Sequence, residues 1–279
     1  MPNFYLDRYS AKKALSIPVT STADDAVLDT VIEGVSRLMD DYVGFPLFAS
    51  LDTQFYTASD ARCLVLDQPV TDLTSVALDP GGTRTYSQTM GATCYDLTGA
   101  GADYNVRTNS PPQPFWEVHT RWTSSAVFPE RTPKGVQLTG TWGYTNQTRT
   151  LAATPTTVSG WDATSTSLNF VNASTIAPGQ TLLVDSEQLF VKDAVSTSGF
   201  YVERGVNGTS GAVHTSAAVV KVYEYPVISE ACRFQIALTW RAKDMSGYGG
   251  DQGVPSRAPS GGLHPFTKSM LTMRSPVAK

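Results

Sequence analysis

Between Phe45 and Tyr225, 181 positions read as short strands and turns, and this stretch is bracketed by two segments whose apolar residues repeat with helical spacing. That order leaves few ways to fold, because each amphipathic helix must bury one face and the two stripes are natural partners. In the first, Asp24 to Tyr42, residues Leu28, Val31, Ile32, Val35, Leu38, Met39 and Tyr42 fall at i, i+3, i+4 and i+7. Ser21, Thr22 or Asp24 can cap it, Asp25 and Asp29 lie at the positive end of its dipole, and Gly44 followed by Pro46 stops it. The rod is about 30 Å long. In the second, from Val227 to Met245, Ile228, Ala231, Cys232, Gln235, Leu238 and Ala242 repeat helically, with Phe234, Ala237 and Arg241 on a neighbouring face. The expected fold class is α+β: a helical framework in which a long N-terminal helix packs with a C-terminal helix, plus a β-rich body and an inserted small β domain. Leu28, Val31, Ile32, Val35, Leu38, Met39, Ile228, Ala231 and Leu238 are the expected helix-packing and oligomer contacts.

Charge is unevenly placed. Residues Met1 to Tyr225 carry 14 Lys and Arg against 22 Asp and Glu, whereas Pro226 to Lys279 carry 7 against 3. An acidic body with a basic tail argues against a general nucleic-acid binder and suits a surface past which DNA moves without sticking. Hydrophobic residues make up 41% of the 279, enough for one large domain or two small ones. No stretch approaches the roughly 20 apolar residues of a membrane span. Met1-Pro2-Asn3-Phe4 lacks the features of a signal peptide, so a cytoplasmic site of synthesis and no membrane partner are expected.

Chemistry-bearing motifs are sparse. Cys63, Cys94 and Cys232 have no paired spacing, so they point to buried small residues rather than to disulfides or a zinc site. His119, His214 and His264 are scattered, and Asp185 with Glu187 reads as a hairpin turn rather than as paired carboxylates. The sequence has no Gly-x-Ser-x-Gly elbow, no phosphate loop and no His-Glu-x-x-His. The expectation is therefore no catalytic residue, no metal ligand set and no cofactor. Trp116, Trp122, Trp142 and Trp161 allow a rival reading, a sugar-stacking platform, although strand tryptophans more often fill cores.

The strand pattern leads to a resemblance. Thr53 to Tyr56, Cys63 to Leu66, Ser75 to Leu78, Tyr95 to Tyr104, Phe115 to Arg121 and Gly135 to Tyr144 are strand candidates, with turns at Asp67-Gln68-Pro69 and Asp79-Pro80-Gly81-Gly82. The run Asp24 to Leu28 through Ile32 and Asp40, then Gly44-Phe45-Pro46, Phe55-Tyr56, Leu64-Val65-Leu66, Pro69 to Val76 and Thr139 to Tyr144, resembles the head-to-tail connector (adaptor) proteins of tailed bacteriophages. In that family a similar strand leads directly into the closing helix, whereas here residues 145–225 intervene. The intervening segment reads as a small β module with strands at Leu168 to Val171, Thr181 to Val184, Glu187 to Val191, Phe200 to Arg204 and Ala218 to Tyr223. Its run from Pro178-Gly179-Gln180 through Val184-Asp185-Ser186-Glu187 to Arg204-Gly205-Val206-Asn207-Gly208-Thr209 and His214 resembles β modules of several phage virion proteins.

The resulting division is a connector core (1–147), an inserted β module (148–225), a closing helix (226–245) and a flexible basic arm (246–279). The resemblance implies a non-enzymatic virion neck protein, assembled in the host cytoplasm. It would form a homo-oligomeric ring, twelvefold like the portal, that contacts the portal protein and the tail or stopper protein while genomic DNA passes through. Phe266, Lys268, Met270, Leu271, Met273 and Arg274 are the expected portal-docking arm, and Arg233, Arg241 and Lys243 the channel or intersubunit charges. The alternatives are another tail or baseplate structural protein, or a carbohydrate-binding tail protein.

Overall fold

The computed structural model describes residues 3–98, 114–156, 161–245 and 262–271, with the backbone alone for 242–245. The chain divides into two compact units, one of Met1–Gly44 with Thr148–Thr272 and one of Phe45–Gln147 with Met273–Lys279.

The 45–147 unit is an antiparallel sheet. Its strands are β1 (Ser50–Tyr56), β2 (Cys63–Leu78), β3 (Gln88–Met90), β4 (Tyr95–Thr98), β5 (Phe115–Thr120) and β6 (Val136–Trp142), in the order β1-β6-β2-β5-β4 with β3 also on β2. Where the sequence predicts two strands and a turn at Asp67-Gln68-Pro69, the structure has one 16-residue strand, β2. The turn residues become a bulged stretch: pairing with β5 slips between Val65 and Val70, and pairing with β6 slips between Val70 and Asp72 and again between Leu73 and Ser75. Pro69, which has no amide to give, falls at the slip and uses its carbonyl to accept Gly143 N–H at 3.0 Å. The Thr139–Tyr144 run owes its glycines to close backbone approach. A Cβ on Gly140 would lie 2.2 Å from the Asp72 carbonyl oxygen, and one on Gly143, at φ +129°, would lie 2.2 Å from that of Phe48. Between them Trp142 is buried, stacks on Tyr56 and donates Nε1–H to the Asp52 carbonyl at 3.0 Å. Leu64, Leu66, Val70, Val76, Val118 and Leu138 complete the core.

The other unit carries α1 (Arg8–Ala14), α2 (Asp25–Val43), α3 (Pro226–Met245) and α4 (Pro265–Met270). Its strands are β7 (Thr148–Thr150), β8 (Thr154–Pro155), β9 (Ser167–Val171), β10 (Thr181–Val184), β11 (Glu187–Ala194), β12 (Gly199–Glu203) and β13 (Val220–Tyr223). They form an antiparallel sheet ordered β7-β13-β10-β11-β12-β9-β8. The two end strands, β7 and β8, are close neighbours in sequence, so the sheet must curl back on itself. It wraps Leu168, Phe170, Leu182, Val184, Leu189, Val191, Phe200, Val202 and Val222. β11 is buried at five successive positions because its outer face is also covered. Phe4 packs edge-on against Phe190, Arg8 N–H bonds the Pro178 carbonyl at 2.9 Å, and Thr181 Oγ1 donates to Asn3 Oδ1 at 2.9 Å.

Buried cations fasten α1. The Arg8 guanidinium reaches Asp29 at 2.8 and 2.5 Å and Asp193 at 2.7 Å. Lys12, 1% exposed, reaches Asp25 at 2.5 Å and donates to the Ser21 carbonyl at 2.6 Å. Asp25 and Asp29 thus serve as ion-pair partners as well as dipole complements. Asp24 holds the N-cap position of α2 without a side-chain cap bond, and Gly44 ends the helix at φ +91° with its N–H on the Asp40 carbonyl.

The expected helical framework is overturned. Strands hold 33% of the described residues against 22% for helices, and two antiparallel sheets carry the fold. The physical reason lies in the cores: each sheet closes over its own cluster of side chains, which contains no α-helix residue among those described, while Leu28, Ile32, Val35, Met39, Ile228, Ala231 and Ile236 are buried apart from those clusters. The first helix, α1, has only seven residues, and the longer α2 and α3, of 19 and 20 residues, pack on each other outside those two clusters. The apolar stripe of α2 is also narrower than its sequence implies, with Leu28, Ile32, Val35 and Met39 buried, Val31 and Leu38 half-buried and Tyr42 exposed.

Candidate functional site

The inner face of α2 packs on α3. Ile228, Ala231, Cys232 and Ile236 are buried along α3, and Ser36 Oγ, which also donates to the Ile32 carbonyl, sits 4.0 Å from Cys232 Sγ. Burial pushes the Cys232 thiol up to about 12 despite the lowering effects of Ser36 and Arg37, so it suits a packing role rather than that of a nucleophile. Leu238 is half-buried. Tyr5 reinforces the pair: its hydroxyl meets Asp40 Oδ1 at 2.5 Å, its ring packs against Tyr225, and its carbonyl accepts from Ser229 Oγ at 2.6 Å.

The outer face of α2 is different. Val27, Thr30 and Gly34, spaced i, i+3 and i+7, are all exposed, with Val27 at 45%. Gly34 sits in the middle of a 19-residue helix, and a Cβ built on it meets nothing within 4 Å. A helix-interior glycine costs about 0.5–1 kcal/mol relative to alanine. Among the described residues no close contact calls for a glycine there.

The expected charges and arm residues take definite places. Arg233 is exposed and pairs with Glu230 one turn away, and Arg241 is exposed. The Lys243 side chain lies outside the described residues, as do Met273, Arg274 and residues 246–261. Phe266, Lys268 and Met270 belong to α4, which is folded onto α3. Gln235 Oε1 accepts from the His264 amide at 3.0 Å and from Thr267 Oγ1 at 3.2 Å, Phe234 packs against His264 and Phe266, and Leu271 is buried. Phe266 stays half exposed, and the Lys268 ammonium lies 5.6 Å from the Tyr42 ring centroid.

The conspicuous buried polar cluster is structural. Glu187, fully buried at the start of β11, receives Arg204 through Nε at 2.6 Å and Nη2 at 2.7 Å, the amides of Gly205 and Ala212 at 3.0 and 2.9 Å, and His214 Nε2 at 2.8 Å. Burial by itself raises the Glu187 carboxyl, but these bonds outweigh it and hold the group below the usual carboxylate range. His214 Nδ1 meets Asp185 at 2.9 Å, so both ring nitrogens face carboxylates and both contacts are donated only by a protonated ring. With its oxygens filled, Glu187 has no free lone pair for acid–base work. It ties the β10–β11 hairpin to the 204–214 loop, which accounts for the Arg204-Gly205 and His214 elements of the sequence motif.

A cleft of about 690 Å³ lies among α1, α3 and β13, lined by Lys13, Arg149, Glu224, Glu230 and Arg233 among others. Arg149 pairs with Glu224 at 2.5 Å and Arg233 with Glu230, so its charges neutralise one another. The tryptophans form no platform. Trp116, Trp142 and Trp161 are buried, whereas Trp122 is 86% exposed under the Arg62 guanidinium.

Sequence spacing missed one constellation. Cys63, Glu117 and His119 converge on the 45–147 sheet with one donor atom from each within 4.8 Å of the others. The available signal was Glu-Val-His, two polar residues on one side of a strand. No family model, curated protein or solved structure matches the chain.

Proposed function

We propose that this chain is a non-enzymatic structural component of a bacteriophage virion, a head-to-tail adaptor whose copies form a ring below the portal, line the DNA exit path and receive the tail or stopper protein. The observation that carries the reading is the outer face of α2, where Val27, Thr30 and Gly34 present a shallow exposed surface and no described residue of the same copy approaches the glycine. Repetition of one such heterologous contact closes a ring without loose edges. Two further features support it. The segments that carry the connector resemblance fall on α2 and on the three adjacent strands β1, β6 and β2, so they form coherent parts of the molecule. The excess of acidic residues over basic ones from Met1 to Tyr225 gives DNA little to bind.

The test is the mass of the complex formed when purified chain is mixed with portal rings of the same virion. Twelve copies bound per twelvefold portal is the expected result. Portals that sediment unchanged at saturating chain concentration overturn the proposal.

A further inference from the structure

The register of the 45–147 sheet places three different donor atoms together. Cys63 on β2 pairs directly with His119 on β5, and Val65 pairs with Glu117. On the other side of β5, Asp96 and Thr98 of β4 pair with His119 and Glu117. Alternation along the strands turns Leu64, Trp116 and Val118 into the core and leaves Cys63, Glu117 and His119 half-buried on the opposite face. His119 Nε2 is 2.9 Å from Glu117 Oε2 and 3.7 Å from Cys63 Sγ. A tetrahedral ion with metal–ligand bonds of about 2.0–2.3 Å holds such donors about 3.3–3.6 Å apart; the two His119 distances lie within a few tenths of an ångström of that range, and the Cys63 and Glu117 donors are within 4.8 Å of each other.

We propose that Cys63, Glu117 and His119 bind one zinc-like divalent transition-metal ion. The donor set selects the metal class, since a thiolate and an imidazole favour zinc over calcium or magnesium, which take oxygen ligands. The three side chains leave a fourth position for water. Thr98 Oγ1, 3.4 Å from Glu117 Oε2, stands as an outer partner that orients the carboxylate. The ligand is the thiolate, so binding exchanges the thiol proton for the ion and strengthens as pH rises. Because the ligands come from β2 and β5, an ion at this position also cross-links two strands of the sheet.

The test is titration of the chelator-treated full-length chain with Co(II). The expected result is one equivalent bound, with a thiolate-to-cobalt charge-transfer band, release of a proton, and displacement by Zn(II). Cys63→Ser abolishes the band, and His119→Ala and Glu117→Gln each weaken binding by more than about 100-fold, beyond the loss caused by removing an outer partner. Cys94→Ser leaves all of this unchanged. Circular dichroism of the metal-free variants checks that they fold, and Glu117→Gln, nearly isosteric, serves if the Cys63 or His119 variant does not. Absence of the charge-transfer band, or its persistence in Cys63→Ser, overturns the proposal, as does unweakened binding in folded Glu117→Gln.

Discussion

Replacing Gly34 by alanine separates the stability of one copy from the assembly of many. Gly34 lies in the interior of α2 with exposed surroundings, and an added Cβ meets no atom within 4 Å. The substitution removes backbone freedom from the unfolded chain and adds a better helix former, at no steric cost. The isolated chain should gain about 0.5–1 kcal/mol. For a cooperative unit of this size that is a rise in Tm of about 1–4 °C. In the proposed ring, however, the methyl group stands where the neighbouring copy approaches, so Gly34→Ala should lower portal occupancy and Gly34→Leu should abolish it. Calorimetry on free protein and sedimentation of portal mixtures read the two effects separately. A variant that is more stable and assembles as well as the parent refutes the assignment of this face. One that is less stable refutes the local geometry.

Other perturbations address the rest of the molecule. Arg204→Met leaves the buried Glu187 carboxylate without its cation and should cost about 3–5 kcal/mol in urea unfolding. Because the folded-state carboxyl of Glu187 is depressed, its contribution is present above the unfolded carboxylate range and is lost as pH falls through the folded value. Tm should therefore drop more steeply below about pH 4 in the parent than in Glu187→Gln, whose Tm at neutral pH is already lower. Gln235→Ala removes two bonds to the α4 segment and should cost about 1–2 kcal/mol locally, read as faster amide exchange at Lys268 and Leu271. Gly140→Ala forces a methyl into the Asp72 carbonyl, and loss of the 45–147 unit's cooperative unfolding transition is the expected outcome.

Strands flanked by strong turn signals were the most legible parts of the chain. Thr181 to Val184 and Glu187 onward are bounded by Pro178-Gly179 and Asp185-Ser186, and β10 and β11 occupy those positions, with Asp185 at φ +51°. Asp67-Gln68-Pro69 carried an equally strong turn signal and misled, because a bulge in a long strand uses the same residues as a hairpin. The apolar stripe of α2 was visible, but periodicity reports a buried face and says nothing of how large a share of the core that face supplies. Local pattern also hid the roles of Arg8 and Lys12, whose partners are set by the packing of α1 and by a strand 185 residues away from Arg8. Cys63 and His119 are 56 residues apart, and only the β2–β5 register brings them together. The buried partners of Glu187 were likewise invisible, although its motif was not.

Imaging of the assembly tests the central claim most directly. Two-dimensional class averages of portal incubated with this chain should show an added twelvefold layer at the narrow end of the portal, with α2 at each contact between copies. Portals with no added layer, or a layer whose copies meet away from α2, would contradict it.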